Sequence, residues 1–277
     1  MSAVVLFLNK FFRRPNVKGR ESGEAYSRWE HEWGLDTSRN YLEPSGDVKG
    51  KKILDVGCGL GGKTVAYVER GAKAVFGADI LESNAVASQL YAADSGQVAG
   101  RSGFLVGDAA LLPFGDEVFD TVVANDAMEH FARPGEALAE MRRVIRPGGA
   151  VWIFFTPHFS PLGSHLYDYI YTPWCHLLFS RARIESAIRE ILRRRGEQGV
   201  EEPLEIRVSE IMRSYDEDLN HMSVRRFFRL VGLTTGLSVT DVELRPAKYR
   251  WLAPLTRLPL VRELVTGFVV CRLERTA

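Results

Sequence analysis

The chain has 277 residues, 45% apolar and 26% charged, which is enough to bury a full core as one α/β domain with an embellishment. Lys plus Arg total 36 against 35 for Asp plus Glu, so no overall field attracts a polyanion, and nucleic acid is excluded as an expected partner. The three cysteines, Cys58, Cys175 and Cys271, lie far apart with no C-x-x-C pair, which excludes a disulfide framework or zinc knuckle and fits a reducing, cytoplasmic setting.

The N-terminal run Val4 to Phe12 is strongly apolar and is followed by Arg13 and Arg14. A secretory signal carries its positive charge before the apolar run, and spanning a bilayer takes roughly 20 apolar residues, so neither fits. Two readings stay open: a helix packed on the domain, or a helix making peripheral contact with a membrane surface. Tyr26, Arg28, Trp29 and Trp33 then fall on a predicted helix, where Trp29 and Trp33 at i and i+4 form an apolar stripe or cover a ligand.

From residue 51 short apolar runs alternate with amphipathic stretches, the pattern of βα units in a parallel sheet. Lys52 to Val56 is the first expected strand, followed by a glycine-rich loop at Gly57 to Gly62 and a helix from Lys63 to Arg70. The second strand, Ala74 to Ala78, ends at Asp79 and leads to a helix over Glu82 to Ala93; the third, Gly103 to Val106, ends at Gly107-Asp108. Phe119 to Ala124 is the fourth strand, Gly135 to Ile145 its helix, stopped by Arg146-Pro147-Gly148-Gly149, and Val151 to Phe155 the fifth strand. Strands in this order build an open, doubly wound sheet that holds ligands outside the carboxyl ends of its strands.

After Thr156 the rhythm breaks. Residues 157–221 hold an aromatic and histidine-rich stretch and a basic helix from about Arg181 to Arg195, which either faces acidic lipid or a substrate phosphate or is a solvated face with Glu185 and Glu190 as helix partners. Strands return at Ser238 to Leu244 and at Leu264 to Leu273. The expected organisation is therefore an N-terminal helical cap over 1–50, a ligand-binding core over 51–156, an insertion serving as a lid over 157–222, and a C-terminal completion of the sheet over 223–277.

The segment Ile53-Leu54-Asp55-Val56-Gly57-Cys58-Gly59-Leu60-Gly61-Gly62 is a strand running into glycines at a helix start, where a ligand can lie against bare amides. Gly57, Gly59 and Gly62 also satisfy G-x-G-x-x-G, the dinucleotide fingerprint, so the loop alone leaves a nicotinamide-dependent oxidoreductase open. The acids decide between them. Asp55 would meet an ammonium group and repel a pyrophosphate, Asp79 ends a strand where a carboxylate accepts ribose hydroxyls, and Asp108 ends the next, in reach of an adenine amino group.

Over residues 51–156 the chain resembles the class I S-adenosylmethionine-dependent methyltransferases of the small-molecule, UbiE-like group. Residues 53–61 look like their first motif, Asp79 like the ribose-binding acid, and Gly107-Asp108-Ala109 with Leu112-Pro113-Phe114 like the adenine-contacting segment. Phe119-Asp120 through Glu129-His130-Phe131 resembles the fourth-strand motif, and residues 144–149 the turn into the fifth strand. The resemblance implies a Rossmann-like seven-stranded α/β fold and S-adenosylmethionine as cofactor, with S-adenosylhomocysteine as product. It places Asp55, Gly57, Cys58, Gly59, Asp79, Ile80, Asp108, Ala109 and Asn125 in the cofactor pocket, with Tyr26 and Trp29 closing over its methionine end.

Methyl transfer from a sulfonium is an in-line displacement dominated by positioning, and a base is needed only for some acceptors. His130 beside the fourth strand and His158, His165 and Tyr167 in the insertion are the candidate catalytic groups; His158, Tyr169, Trp174 and His176 are candidate acceptor contacts. An insertion at the carboxyl edge of the sheet would bring its aromatic side chains over the methyl group and favour a flat or greasy small-molecule acceptor, aromatic, isoprenoid or lipid-like. The spacing of His158, His165, Asp168 and His176 matches no metal motif, and no metal is expected. A non-catalytic protein that keeps the fold and binds the cofactor is the remaining alternative, and the sequence does not reveal the oligomeric state or whether oxygen, nitrogen or carbon is methylated.

Overall fold

The computed structural model describes residues 3–13, 23–96, 98, 100–196, 203–247, 250–259 and 261–276, so Arg14 lies outside the described residues. Its helices are α1 (Ala3–Asn9), α2 (Gly23–Thr37), α3 (Gly62–Glu69), α4 (Glu82–Ser95), α5 (Pro134–Val144), α6 (Cys175–Leu178), α7 (Arg181–Arg195), α8 (Leu204–Glu217), α9 (Val224–Leu233) and α10 (Arg262–Val265). The strands are β1 (Lys52–Val56), β2 (Ala74–Asp79), β3 (Ser102–Val106), β4 (Phe119–Asn125), β5 (Ile145–Phe155), β6 (Leu237–Pro246) and β7 (Thr266–Arg275).

They form one seven-stranded sheet in the order β3-β2-β1-β4-β5-β7-β6. Strands β1 to β5 pair in parallel and β7 runs antiparallel to β5. The chain leaves β1 towards β2 and β3, then returns to place β4 on the other side of β1. That reversal is the switch point beside which open α/β sheets hold their ligands, at the strands' carboxyl ends. Continuous burial of β1 and β4, from Ile53 to Val56 and from Thr121 to Asn125, reflects a sheet covered on both faces.

Two details differ from expectation. The Pro147-Gly148-Gly149 segment lies inside β5 as a bulge, where the register jumps from Phe119↔Ile145 to Thr121↔Ala150. Leu264 belongs to the short helix α10, so the last strand begins at Thr266.

The chain divides into two compact units, the first comprising Met1–Val17, Thr156–Val224 and Leu244–Phe268, the second Lys18–Phe155, Arg225–Glu243 and Val269–Ala277. The residues expected as a single N-terminal cap are thus shared between them, α1 going to the first unit and α2 to the second.

In the second unit α2 packs on α3 through small and polar side chains: its buried residues are Ser27, Glu30, Gly34 and Thr37. A Cβ on Gly34 would stand 2.8 Å from both Ala66 Cβ and Lys63 Cα, so the two helices approach as closely as backbone permits. Beneath the sheet Asp47 Oδ2 accepts the indole N–H of Trp152 at 2.8 Å and the guanidinium Nε of Arg272 at 2.9 Å, pinning β5 and β7 together.

The first unit has its own apolar cluster, in which Val5 of α1 joins Leu166, Ile170, Cys175, Ile184, Ile188, Leu192, Val208 and Met212 from α6, α7, α8 and the chain before them. Asn9 stitches α1 into this unit by donating Nδ2 to Tyr169 O at 3.1 Å and accepting the Thr172 amide at 3.2 Å. The N-terminal helix is therefore packed on one face, while Val4 and Phe7 stay exposed on the other, as does Phe11 in the turn that follows. On α7, Arg181 and Arg189 pair with Glu185, and Arg193 and Arg194 with Glu190, the solvated face anticipated for this basic run. All three cysteines are free and buried.

Candidate functional site

The glycine loop after β1 turns tightly beside the end of β2. The Gly57 and Cys58 amides donate to Ala78 O at 2.8 and 3.2 Å, and the Gly59 amide to Asp79 Oδ2 at 3.0 Å. Gly59 has φ +56, and a Cβ there would stand 2.5 Å from Glu30 Oε1, so position 59 must be glycine on both counts. Asp79 is held on its other oxygen too: Oδ1 accepts the Leu81 amide and Asn84 Nδ2, each at 3.0 Å. These bonds fix the carboxylate at the strand end, beside Ile80, which is 67% exposed.

Glu30 of α2 is the residue that the sequence did not disclose. Its carboxylate is almost fully buried, takes the Leu60 amide at 3.1 Å and the Gly62 amide at 3.4 Å, and lies 3.8 Å from Lys63 Nζ. It satisfies the orphan donors at the start of α3, an anion's usual place at a helix N-terminus. Burial pushes its pKa up to about 7 despite the cation of Lys63. Asp55, buried on β1, is likewise raised by burial to about 6; its Oδ2 accepts Thr64 Oγ1 at 2.7 Å, while its buried Oδ1 accepts nothing among the described residues. Lys63 itself is held firmly protonated by these acids and by Asp126, and donates to Asn125 O at 3.0 Å.

Asn125 closes β4 with both side-chain groups engaged, Nδ2 donating to Thr37 Oγ1 and Oδ1 accepting from Trp33 Nε1, each at 3.3 Å. It acts within the second unit as a clip between α2 and the sheet. Trp29 stacks on Trp33 at 6.4 Å and meets Tyr26 at 5.3 Å, so the predicted stripe is one half-buried aromatic row. His130 is exposed after β4, and it and Lys63 favour the charged form of Asp126, whose carboxyl burial raises.

Asp108 departs from the simple expectation of a waiting acceptor. Oδ1 takes the Ala110 amide at 2.8 Å and Oδ2 the guanidinium of Arg133 at 2.8 Å, which together hold its pKa below the usual carboxylate range. Ala109 beside it is buried. Arg133, like Glu30, was not anticipated, since its pairing with Asp108 joins elements that no local pattern connects.

In the first unit the predicted residues separate into four places. Tyr169 packs against the apolar cluster with the Arg195 guanidinium 5.5 Å from its ring centroid, a structural setting. Trp174, at φ +55, donates Nε1 to Leu264 O at 3.2 Å. His165, also at positive φ, lies 6.0 Å from the ring of Tyr167. His158 and His176 come together, ring centroids 5.0 Å apart, and are joined by His221, 4.4 Å from His158, which sequence reasoning passed over because it lies far along the chain.

Residues 54–153 match the family model described as a methyltransferase domain. Over 121 residues the chain is 36% identical to a ubiquinone/menaquinone biosynthesis C-methyltransferase of Paracoccus denitrificans, covering 43% of this chain and 48% of that one. It is 33% identical over 133 residues to a sterol 24-C-methyltransferase of Gibberella zeae, covering 48% of this chain and 33% of that one. The matched stretch thus spans half or less of these relatives' length. Among solved structures it is similar to magnesium protoporphyrin IX methyltransferase of Synechocystis PCC 6803, determined with bound S-adenosylhomocysteine, with TM-score 0.53, 14% identity, and coverage of 99% of this chain and 96% of that one; this likeness concerns the fold.

Proposed function

We propose that this chain, whose residues 54–153 match a methyltransferase domain, moves the methyl group of S-adenosylmethionine to a small, hydrophobic acceptor, aromatic, isoprenoid or lipid-like, releasing S-adenosylhomocysteine. The observation that carries this reading is the trio Glu30, Asp55 and Asp79 around the glycine loop, with the Leu60 and Gly62 amides already taken by Glu30. A pyrophosphate needs those amides free and would meet three carboxyl groups, whereas an ammonium and a ribose diol are matched by them. The orphaned Oδ1 of Asp55 is a position for the ammonium or a bridging water.

When bound, the cofactor supplies an electrophilic methyl on a sulfonium. The chain's own residues do the positioning. Asp79, locked by Gly59, Leu81 and Asn84, presents its remaining lone pairs to ribose hydroxyls. Ile80 offers an apolar surface to the adenine, and Asp108 keeps lone pairs for its amino group beyond the bonds to Ala110 and Arg133. Tyr26 and Trp29 form the aromatic wall assigned to the methionine end. His158 and His176 are the candidate acceptor contacts, and His130 is assigned as the base for an acceptor that must lose a proton.

No described helix is long and apolar enough to cross a membrane. The open edge of α1, with Val4, Phe7 and Phe11 beside Lys10 and Arg13, supports peripheral contact with a lipid surface from which a hydrophobic acceptor would be drawn.

The test is binding followed by identification. Calorimetric titration should show saturable binding of S-adenosylhomocysteine and none of NADH, and mass spectrometry of the denatured, freshly purified protein should release S-adenosyl compounds. Tight NADH binding with no S-adenosylhomocysteine binding overturns the assignment.

A further inference from the structure

We propose that His158, His176 and His221 form a binding site for a hydroxyl group carried on an aromatic ring, with the Nδ1 lone pair of His176 accepting the O–H hydrogen bond. The inference deepens the function proposed above, on which it rests only in taking that ring to be the methyl acceptor.

The tautomer of His176 follows from its partner. Its Nε2 lies 2.7 Å from the backbone carbonyl of His158, and a carbonyl oxygen only accepts, so Nε2 carries the proton. Burial lowers the pKa of His176 and that of His158, the latter to about 4, with neighbouring imidazoles adding to the effect. A neutral His176 protonated at Nε2 leaves a bare lone pair at Nδ1. That atom is buried with no hydrogen-bond partner among the described residues, and so is Nδ1 of His158. A buried polar atom left without a partner is costly, and the lone pair at Nδ1 of His176 marks a place prepared for a donor.

The backbone holds the rings there deliberately. The His158 amide donates to Met222 O at 2.7 Å, next to His221, whose φ of +56 is strained for a residue with a side chain. This brings the His221 ring within 4.4 Å of His158, while Phe159 meets it edge-on at 5.1 Å. The side chains that meet His158 are flat rings, and the unsatisfied atoms are ring nitrogens. A carboxylate would face a lone pair at His176; a neutral O–H donor on a flat ring satisfies both the polarity and the shape.

The experiment uses the full chain labelled with 15N and long-range imidazole spectra, with phenol as probe and toluene as its hydroxyl-free match. Without ligand, His176 should show a protonated Nε2 and an unprotonated Nδ1. Phenol should move the Nδ1 resonance of His176 saturably, and toluene should leave it in place. His176→Phe should weaken phenol binding by at least ~10-fold, the scale of one hydrogen bond of about 1.4 kcal/mol. His176→Asn, whose Oδ1 restores an acceptor near the lost Nδ1, should stay within ~3-fold of the wild type.

If phenol leaves Nδ1 unmoved, if toluene moves it equally, or if His176→Phe binds phenol as the wild type does, a trapped water serves the nitrogen and the proposal fails. Should His176→Phe not fold, the phenol and toluene spectra of the wild type decide alone. No S-adenosylmethionine enters the experiment. A protein that binds phenol in this way but not S-adenosylhomocysteine therefore refutes the methyltransferase reading and keeps the site, and the opposite result refutes the site alone.

Discussion

The carboxylate of Glu30 accepts the amide of Leu60 at 3.1 Å across a separation of 30 residues, so α2 supplies the anion that caps the glycine loop. The same oxygen reaches Gly62 at 3.4 Å. The loop is thereby held by the protein's own acid, which takes the amides that a phosphate would otherwise use.

Glu30 titrates against stability. An ordinary unfolded glutamate has a pKa near 4.3, while burial raises that of Glu30 to about 7, so between these values the folded protein keeps a proton that the unfolded chain releases. Stability should fall as pH rises through that window and level off above it. Glu30→Gln lacks this slope, so the stability of the wild type relative to the variant should decline between pH 4.5 and 7.5, by up to about 3 kcal/mol. Urea unfolding at both pH values checks it; a pH-independent gap would show that Glu30 does not titrate as described.

Asp79→Ala removes the anchor of Gly59 and Leu81 together with the carboxylate assigned to the ribose. Affinity for S-adenosylhomocysteine should drop by the equivalent of about 1.5–3 kcal/mol. Calorimetry reads this directly, and unaltered affinity would mean that the ribose lies elsewhere.

Gly34→Ala forces a methyl group to within 2.8 Å of backbone in α3. The expected cost is about 1–3 kcal/mol of stability, with weaker cofactor binding because Glu30 rides on the same helix. A chemical denaturation curve superimposable on the wild type would show that the helices part without cost.

Asp47→Ala leaves the Trp152 indole and the Arg272 guanidinium without their shared acceptor. Removing one partner of a buried charge pair costs about 3–5 kcal/mol, here towards the lower end because Glu274 still pairs with Arg272 at 3.1 Å. Thermal unfolding should shift down, and the Trp152 environment should change in fluorescence. An unchanged melting profile would contradict this role.

The sheet was legible because its signals are local. Alternating apolar runs, the glycine loop and the strand-end acids each report on neighbours in sequence, and Asp55, Gly59 and Asp79 stand at the strand and loop ends read for them. The contacts that shape the site are not local. Nothing near Glu30 announces that its carboxylate will lie on Leu60, and nothing near Asp108 announces Arg133. Residues 204–217 do show an apolar period at Leu204, Val208, Ile211, Met212 and Tyr215, but a polar environment on both sides hid the helix that buries them. The Pro147-Gly148-Gly149 segment was legible as a break and not as a bulge, since only the partner strand shows that pairing resumes on its far side.

The place of Val5 in a cluster with Val208 and Met212 sets a timetable for synthesis. α1 leaves the ribosome before its packing partners, of which Leu166 follows about 160 residues later and Met212 about 200, so this greasy helix must wait unburied while the sheet takes shape. Chaperone dependence during translation, more than equilibrium stability, is where a change at Val5 or Asn9 should first be felt.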